Sequence, residues 1–312
     1  MKAPVLLGVL LLFWQSPQVL LFQKNRFFNT AAVEIFSFGV SKKMVLIEAA
    51  VDGKKGLFLF DTGASHLTLN KKHFQDKKVV NQVGESSNII EDKVPLQAVK
   101  IKQFQFGGIQ RKQLLCPIAD LSKLENSLGY PILGLIGYDI VKNYQVHLDY
   151  IDHLLLLYPK NMEGSSYEVQ PDYTLDFTLC GHLPVLETNI GLKQKIYLGL
   201  DSGASINVLD KSWQNKVADI ALRTDKRRFT GAAAGVKEAD YVVFEKMTID
   251  KQFDLNMPGI LLTTVGIPTD KCVRIDGLIG IDLFTCKRLA IDYETGKLHI
   301  WLQEGMKPEQ TC

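Results

Sequence analysis

One short phrase occurs twice in this chain, 140 positions apart: Phe60-Asp61-Thr62-Gly63-Ala64-Ser65 and Leu200-Asp201-Ser202-Gly203-Ala204-Ser205. Each copy places a carboxylate after an apolar strand, on a tight Gly turn with a hydroxyl beside it. Two such turns folded face to face bring two Asp side chains together. Carboxylates about 3 Å apart cannot both ionise, so a facing pair shares one proton and offers a base and an acid at the same moment. A water held between them can be deprotonated for attack on a carbonyl while the other carboxyl protonates the carbonyl oxygen, without metal or nucleophilic side chain. In such a site Gly63 and Gly203 allow close approach of the opposite loop. Thr62 and Ser202 can tie the loops together, and Ser65 and Ser205 are expected to donate to the outer carboxylate oxygens.

The duplication runs beyond the phrase, and an internal repeat decides architecture before any single motif does. Gly134-Leu135-Ile136-Gly137-Tyr138-Asp139 follows the first Asp, and Gly277-Leu278-Ile279-Gly280-Ile281-Asp282 follows the second. Twelve residues after each closing Gly stands Asp-Tyr, at Asp149-Tyr150 and Asp292-Tyr293. Upstream, Val45-Leu46-Ile47-Glu48 and Pro184-Val185-Leu186-Glu187 each open the alternating stretch that ends in an Asp turn. A lone Asp-Thr-Gly is ordinarily only a turn. Four landmarks in the same order at nearly equal spacing point instead to two homologous units.

On these residues the chain resembles an aspartic peptidase of the retropepsin-like and pepsin-like superfamily, with two retropepsin-like lobes fused in one chain across roughly residues 44 to 302. The resemblance implies that Asp61 and Asp201 are the catalytic pair of an aspartic-type endopeptidase. It implies that Leu135-Ile136-Gly137 and Leu278-Ile279-Gly280 pass beside the catalytic loops. The fold implied is all-β and bilobal, two barrel-like lobes with a few short helices and the active site between them. Phe229 to Gly235 lies where the family carries its flap, so Thr230, Gly231, Ala232 and Gly235 are candidate substrate-binding residues. The matching first-lobe segment, Val83 to Ile90, lacks the Thr-Gly-Ala phrase, which predicts a flap there that is shorter, differently shaped or not engaged with substrate. The alternative is a non-catalytic peptide-binding or scaffolding protein on the same fold, because fold alone does not fix function.

The domain reading is a signal peptide or N-terminal anchor at 1–23, a first lobe at 30–160, a linker at 161–171 and a second lobe at 172–303. Lys2 and the apolar run Ala3 to Trp14 read as a secretory h-region, too short for a comfortable membrane span. Export to a periplasmic or extracellular space is expected, with anchoring by an uncleaved N-terminal segment as the alternative. Five cysteines occur, Cys116, Cys180, Cys272, Cys286 and Cys312. Their connectivity is not readable from spacing, and Cys272 with Cys286, flanking the second Leu-Ile-Gly segment, is the favoured pair. The chain of 312 residues, 46% hydrophobic, can bury two small cores.

With 36 basic against 34 acidic residues there is no general case for nucleic acid. The basic run Arg223 to Arg228 reads as a solvated loop face. No cofactor is expected, the six scattered His residues form no recognisable catalytic set, and peptide or protein is the expected substrate. Both Asp turns lie in one chain, so a monomer suffices.

Along the chain, strands are expected at Ala31–Val40, Met44–Val51 and Gly56–Phe60, with a hairpin turn at Asp52-Gly53. A flexible region is expected at Asn81–Asp92, then strands at Lys93–Phe106 and Gln110–Ile118. Short helices are expected at Ile140–Tyr144 and Lys211–Ala221.

Overall fold

The computed structural model describes residues 34–41, 43–86, 94–160, 169–191, 194–230, 236–265, 274–280, 285, 287–303 and 305. Expectations placed on residues 1–23, 161–168 and 231–235, and on Cys272, Cys286 and Cys312, lie outside the described residues. Among the described residues no helix is long and apolar enough to cross a membrane.

Alternation of apolar residues on either side of tight turns builds the first lobe. Strands β1 (Glu34–Ser37) and β2 (Gly39–Ser41) lead into β3 (Met44–Val51) and β4 (Lys54–Phe60). The Asp52-Gly53 turn between β3 and β4 has positive φ at both residues, 50° and 84°, the backbone twist that two-residue hairpins require. Asp52 earns its place, since its carboxylate accepts the N–H groups of Lys102 and Gln103 and an ion pair from Lys77. Next come β5 (Thr68–Asn70), β6 (Val79–Ser86), β7 (Val94–Phe106), β8 (Ile109–Ala119) and β9 (Ile132–Ile136). Strands β3, β4, β9, β5, β8 and β7 pair in that order, and β7 returns to β3 through Ala50–Gln105 and Val51–Phe104, closing a six-stranded barrel. Phe58, Phe60, Phe104 and Phe106 fill it, each worth about 1.5–3 kcal/mol of burial.

The expected flexible region is in part a strand. Residues 79–86 pair with β7, with a register irregularity between Asn81 and Glu85. Cross-strand bonding overrides the Asn, Gly and Ser content that suggests a loop. The short helix after Leu-Ile-Gly starts earlier than expected, at Tyr138–Val141, and a helix at Ser122–Leu128 has no counterpart among the expectations.

After β10 (Tyr144–Asp149), β11 (Leu154–Pro159) and β12 (Tyr173–Cys180), the second lobe repeats the plan. It has β13 (Leu183–Ile190), β14 (Gln194–Leu200), β15 (Asn207–Asp210), β16 (Arg223–Thr230), β17 (Val236–Val243), β18 (Lys246–Ile249), β19 (Phe253–Asn256), β20 (Gly259–Thr263) and β21 (Gly277–Ile279). Where lobe one has the single long hairpin β7–β8, lobe two breaks it into β17 and β18 facing β20 and β19. Two hydrogen bonds, Phe244 N–H to Pro258 O and Met257 N–H to Glu245 O, carry the pairing across the break. Strand β18 then returns to β13, as β7 returns to β3. The Lys211–Ala221 helix is resolved into two short 3-10 turns around Gln214–Val217. The run Arg223 to Arg228 is strand β16 at the sheet edge, not a loop. Its charges face solvent, and the Arg227 guanidinium stacks 3.5 Å over the Tyr241 ring.

The two lobes share a sheet. With strands β22 (Lys287–Asp292) and β23 (Lys297–Leu302), the order β1-β11-β10-β22-β23-β12 sets three strands from the first half beside three from the second. At its centre β10 and β22 run antiparallel, Val146 opposite Ile291 and Asp149 opposite Arg288. One apolar cluster runs from Phe38 and Val45 through this sheet to Leu298 and Ile300.

Candidate active site

The sheet topology explains why each Asp turn needs a Leu-Ile-Gly segment at a fixed distance. Strand β9 lies between β4, to which it is parallel, and β5, to which it is antiparallel. The Asp61 turn joins β4 to β5, so it must arch over the end of β9. The Asp61 N–H donates to Ile136 O, while Tyr138 N–H and Asp139 N–H donate to Ala64 O and Ser65 O. The Asp139 carboxylate accepts Leu67 N–H at 2.8 Å, pinning the far side of the arch. A side chain at Gly137 would put a Cβ 2.6 Å from Ala64 O and 2.7 Å from His66 O, a contact no real Cβ makes. Lobe two repeats the arrangement: β21 lies between parallel β14 and antiparallel β15, and Asp201 N–H donates to Ile279 O.

Hydroxyls lock the two turns to each other. Thr62 Oγ1 accepts Ser202 N–H at 2.9 Å and donates to Leu200 O at 3.1 Å. Reciprocally, Ser202 Oγ accepts Thr62 N–H at 3.0 Å and donates to Phe60 O at 3.0 Å. Both residues are almost completely buried, so all four bonds form away from competing water.

The lock brings the carboxyls together. A Cβ on Gly63 would stand 2.6 Å from Asp201 Cγ, and one on Gly203 2.6 Å from Asp61 Cγ, so each Asp packs on the other lobe's glycine. Asp61 Oδ1 accepts Gly63 N–H at 2.8 Å and Ala64 N–H at 3.1 Å, and Asp201 Oδ1 accepts Gly203 N–H at 2.8 Å. The two Asp side chains hydrogen-bond to each other. Burial, the negative charge of Asp201 and that shared bond hold the Asp61 carboxyl well above the usual carboxylate range. Burial raises Asp201 as well, opposed by the hydrogen bond from Asp61 and by backbone donors. Two buried carboxyls joined by a hydrogen bond titrate as a pair, with Asp61 the more strongly raised of the two.

The expected support from Ser65 and Ser205 is not realised. Ser65 Oγ bonds its neighbour His66 at Nδ1, 2.7 Å away. Ser205 is exposed and makes no bond to Asp201 among the described residues. Backbone N–H groups inside the turn reach the carboxylates first, because two- and three-residue spans are set by the turn itself.

Lobe one carries a hairpin, β6 with β7, in the place where lobe two carries β16 with β17. The two hairpins at the flap position differ in register, β6–β7 having an irregularity between Asn81 and Glu85 that β16–β17 lacks, and both tips, 87–93 and 231–235, lie outside the described residues. Of the flap candidates, Thr230 ends β16, while Gly231, Ala232 and Gly235 lie outside the described residues.

One residue beside the dyad has no place among the expectations. His182, in the two-residue turn Gly181-His182 between β12 and β13, bonds Gly63 O through Nε2 at 2.8 Å, across the lobe boundary. The only sequence signal for it is its position before the strand that leads to Asp201, where the first repeat has Lys43. Cys180, two residues before His182, is disulfide-bonded, whereas Cys116 is free and buried.

Residues 47–140 match the family model described as aspartyl protease. The matched segment contains the Asp61 turn and the Leu135-Ile136-Gly137 strand. No curated protein matches the chain.

Proposed function

We propose that the chain is an aspartic-type endopeptidase that hydrolyses peptide bonds with a water activated by Asp61 and Asp201. The observation that carries this reading is the approach of the two carboxyls across paired Gly turns, each seated on the other lobe's glycine and joined by a hydrogen bond. Ionised Asp201 takes a proton from the water as the water oxygen attacks the scissile carbonyl, and Asp61 gives its proton to the carbonyl oxygen. The resulting gem-diol collapses when its hydroxyl proton returns to Asp61. The leaving amine takes the proton that Asp201 received, which restores the starting state. Thr62, Ser202, Gly63 and Gly203 hold the geometry. The hairpins β6–β7 and β16–β17 are proposed to close over an extended peptide and pair with its main chain.

The aspartyl protease match to the first lobe supports the reading, as do the repeated landmarks and pairings of the second. The disulfide at Cys180 fits an exported protein in an oxidising compartment, periplasmic or secreted, cleaved from or held by its first 23 residues. A monomer carries both halves of the site.

The test is incubation of the full chain with a diverse peptide mixture from acid to neutral pH, read by mass spectrometry. Reproducible cuts that disappear in Asp201→Asn support the endopeptidase. Peptide binding without cuts gives the site to a non-catalytic binding protein, and cuts that persist in Asp201→Asn remove the dyad from the mechanism.

A further inference from the structure

We propose that His182 is a positioning residue that reaches from the second lobe to hold the Asp61 turn and couples its own protonation to the dyad, making the two Asp loops unequal. The inference rests on the dyad reading above. A carbonyl oxygen only accepts, so the His182 nitrogen facing Gly63 O must carry a proton. That fixes the Nε2–H tautomer and leaves Nδ1 as the atom that takes up a second proton.

The accepted carbonyl belongs to the Gly63–Ala64 peptide, and the N–H of that same peptide donates to Asp61 Oδ1 at 3.1 Å. His182, one peptide unit and Asp61 therefore form a continuous hydrogen-bonded relay, in which donation at one end polarises the peptide and strengthens donation at the other. The hairpin that carries His182 is anchored by the disulfide-bonded Cys180, which packs with Leu183, Val208 and Leu278. Among the described residues the first lobe offers no such relay toward Asp201. Its repeat position, Lys43, is exposed and makes no hydrogen bond to Gly203 among the described residues.

The charged groups facing the ring come from both Asp loops: Asp201 from one, and His66, one residue past Ser65, from the other. Burial holds the His182 imidazole below the usual range and His66 pushes the same way. The Gly63 carbonyl and Asp201 pull it back up. At neutral pH His182 is thus a neutral donor. On acidification the charge placed on Nδ1 favours the ionised dyad and keeps Asp201 working to lower pH.

Two measurements on the full chain test this. In the first, ring resonances of His182 are titrated by NMR in the wild type and in Asp201→Asn. Coupling is reciprocal, so loss of the Asp201 charge lowers the His182 midpoint; an unchanged midpoint overturns the proposal. This readout needs no turnover. A shifted midpoint in a chain that cuts no peptide leaves His182 placed as proposed and removes the endopeptidase reading alone.

In the second, pH profiles are compared for His182→Gln, which keeps an N–H donor without a titrating charge, and His182→Leu, which keeps neither. His182→Gln retains kcat within about threefold while the acid limb of kcat/KM moves up by roughly half a unit or more. His182→Leu loses about tenfold in kcat with KM little changed. Equal kcat losses in the two variants, with the acid limb of His182→Gln unmoved, overturn the proposal.

Discussion

Asp61 is the residue whose burial works against stability and for chemistry. Its carboxyl is raised well above its unfolded range by burial and by Asp201, so the folded state holds a proton that the unfolded chain releases. Stability from this group is therefore present at acid pH and is lost as pH rises from the unfolded carboxylate range towards the folded one. Asp61→Asn removes that loss: its Tm should exceed that of the wild type at neutral pH and converge with it in acid, while cleavage is abolished. Equal Tm differences at both pH values would refute the assignment of the proton. The hydroxyl lock makes the opposite prediction. Thr62→Val strands the buried Ser202 N–H and Leu200 O, costing about 1–3 kcal/mol in urea unfolding. Adding Ser202→Ala should cost less than the sum of the two single changes, because both belong to one network. Thr62 and Ser202 were legible in the sequence because each stands beside its Asp in a repeat that must meet face to face. The roles of Ser65 and His182 were not. Ser65 had a nearer partner in His66, and the contact of His182 with Gly63 spans 119 positions.

Among the elements, strands β9 and β21 decide whether the Asp turns exist at all, since each must slip between two strands that the turn itself connects. The fit is tight. A Cβ on Gly277 would overlap Val208 O and approach Leu209 Cα to 2.9 Å. Both are main-chain atoms that cannot swing aside. Gly277→Ala should therefore cost about 1–3 kcal/mol through overpacking. Because β21 also receives the Asp201 N–H at Ile279 O, catalytic loss should exceed what the lowered stability explains at a temperature where the variant is fully folded. Thermal unfolding and turnover measured on the same sample separate the two effects. The Leu-Ile-Gly pattern was readable because its apolar run recurs at nearly the same distance from each Asp. Strands β6 and β16 carry no strand signal of their own for one reason. Asn81, Ser86 and the run Arg223 to Arg228 have loop-like composition, and only pairing with β7 and β17 makes them extended. At the edge strand β16 the charges themselves have a use, because exposed Lys226 and Arg228 discourage pairing with another chain.

For the whole molecule, the shared sheet joins the two lobes, and its central ion pair shows how. Asp149 and Asp292 are the Asp-Tyr landmarks of the two repeats, and each accepts two N–H groups of its own hairpin turn, from Ile151 and Asp152 or from Glu294 and Thr295. Each also faces a partner from the other half: Asp149 meets Arg288 at 2.7 Å and Asp292 meets Gln145 at 3.4 Å. The repeat made the Asp-Tyr pairs visible in the sequence, but their partners lie 139 and 147 positions away, where no local pattern points. Asp149 is fully buried, so Arg288→Leu takes the Arg288 countercharge from an interior carboxylate and should cost about 3–5 kcal/mol. Arg288→Gln copies the neutral donor that the first half uses at Gln145, and should cost distinctly less. Because β10 and β22 belong to different halves yet pair along their length, the weakened Arg288→Leu protein should still unfold in a single calorimetric transition with both lobes lost together. Two separated transitions would show that each lobe stands on its own barrel, and that the sheet beneath the dyad joins them without making them interdependent.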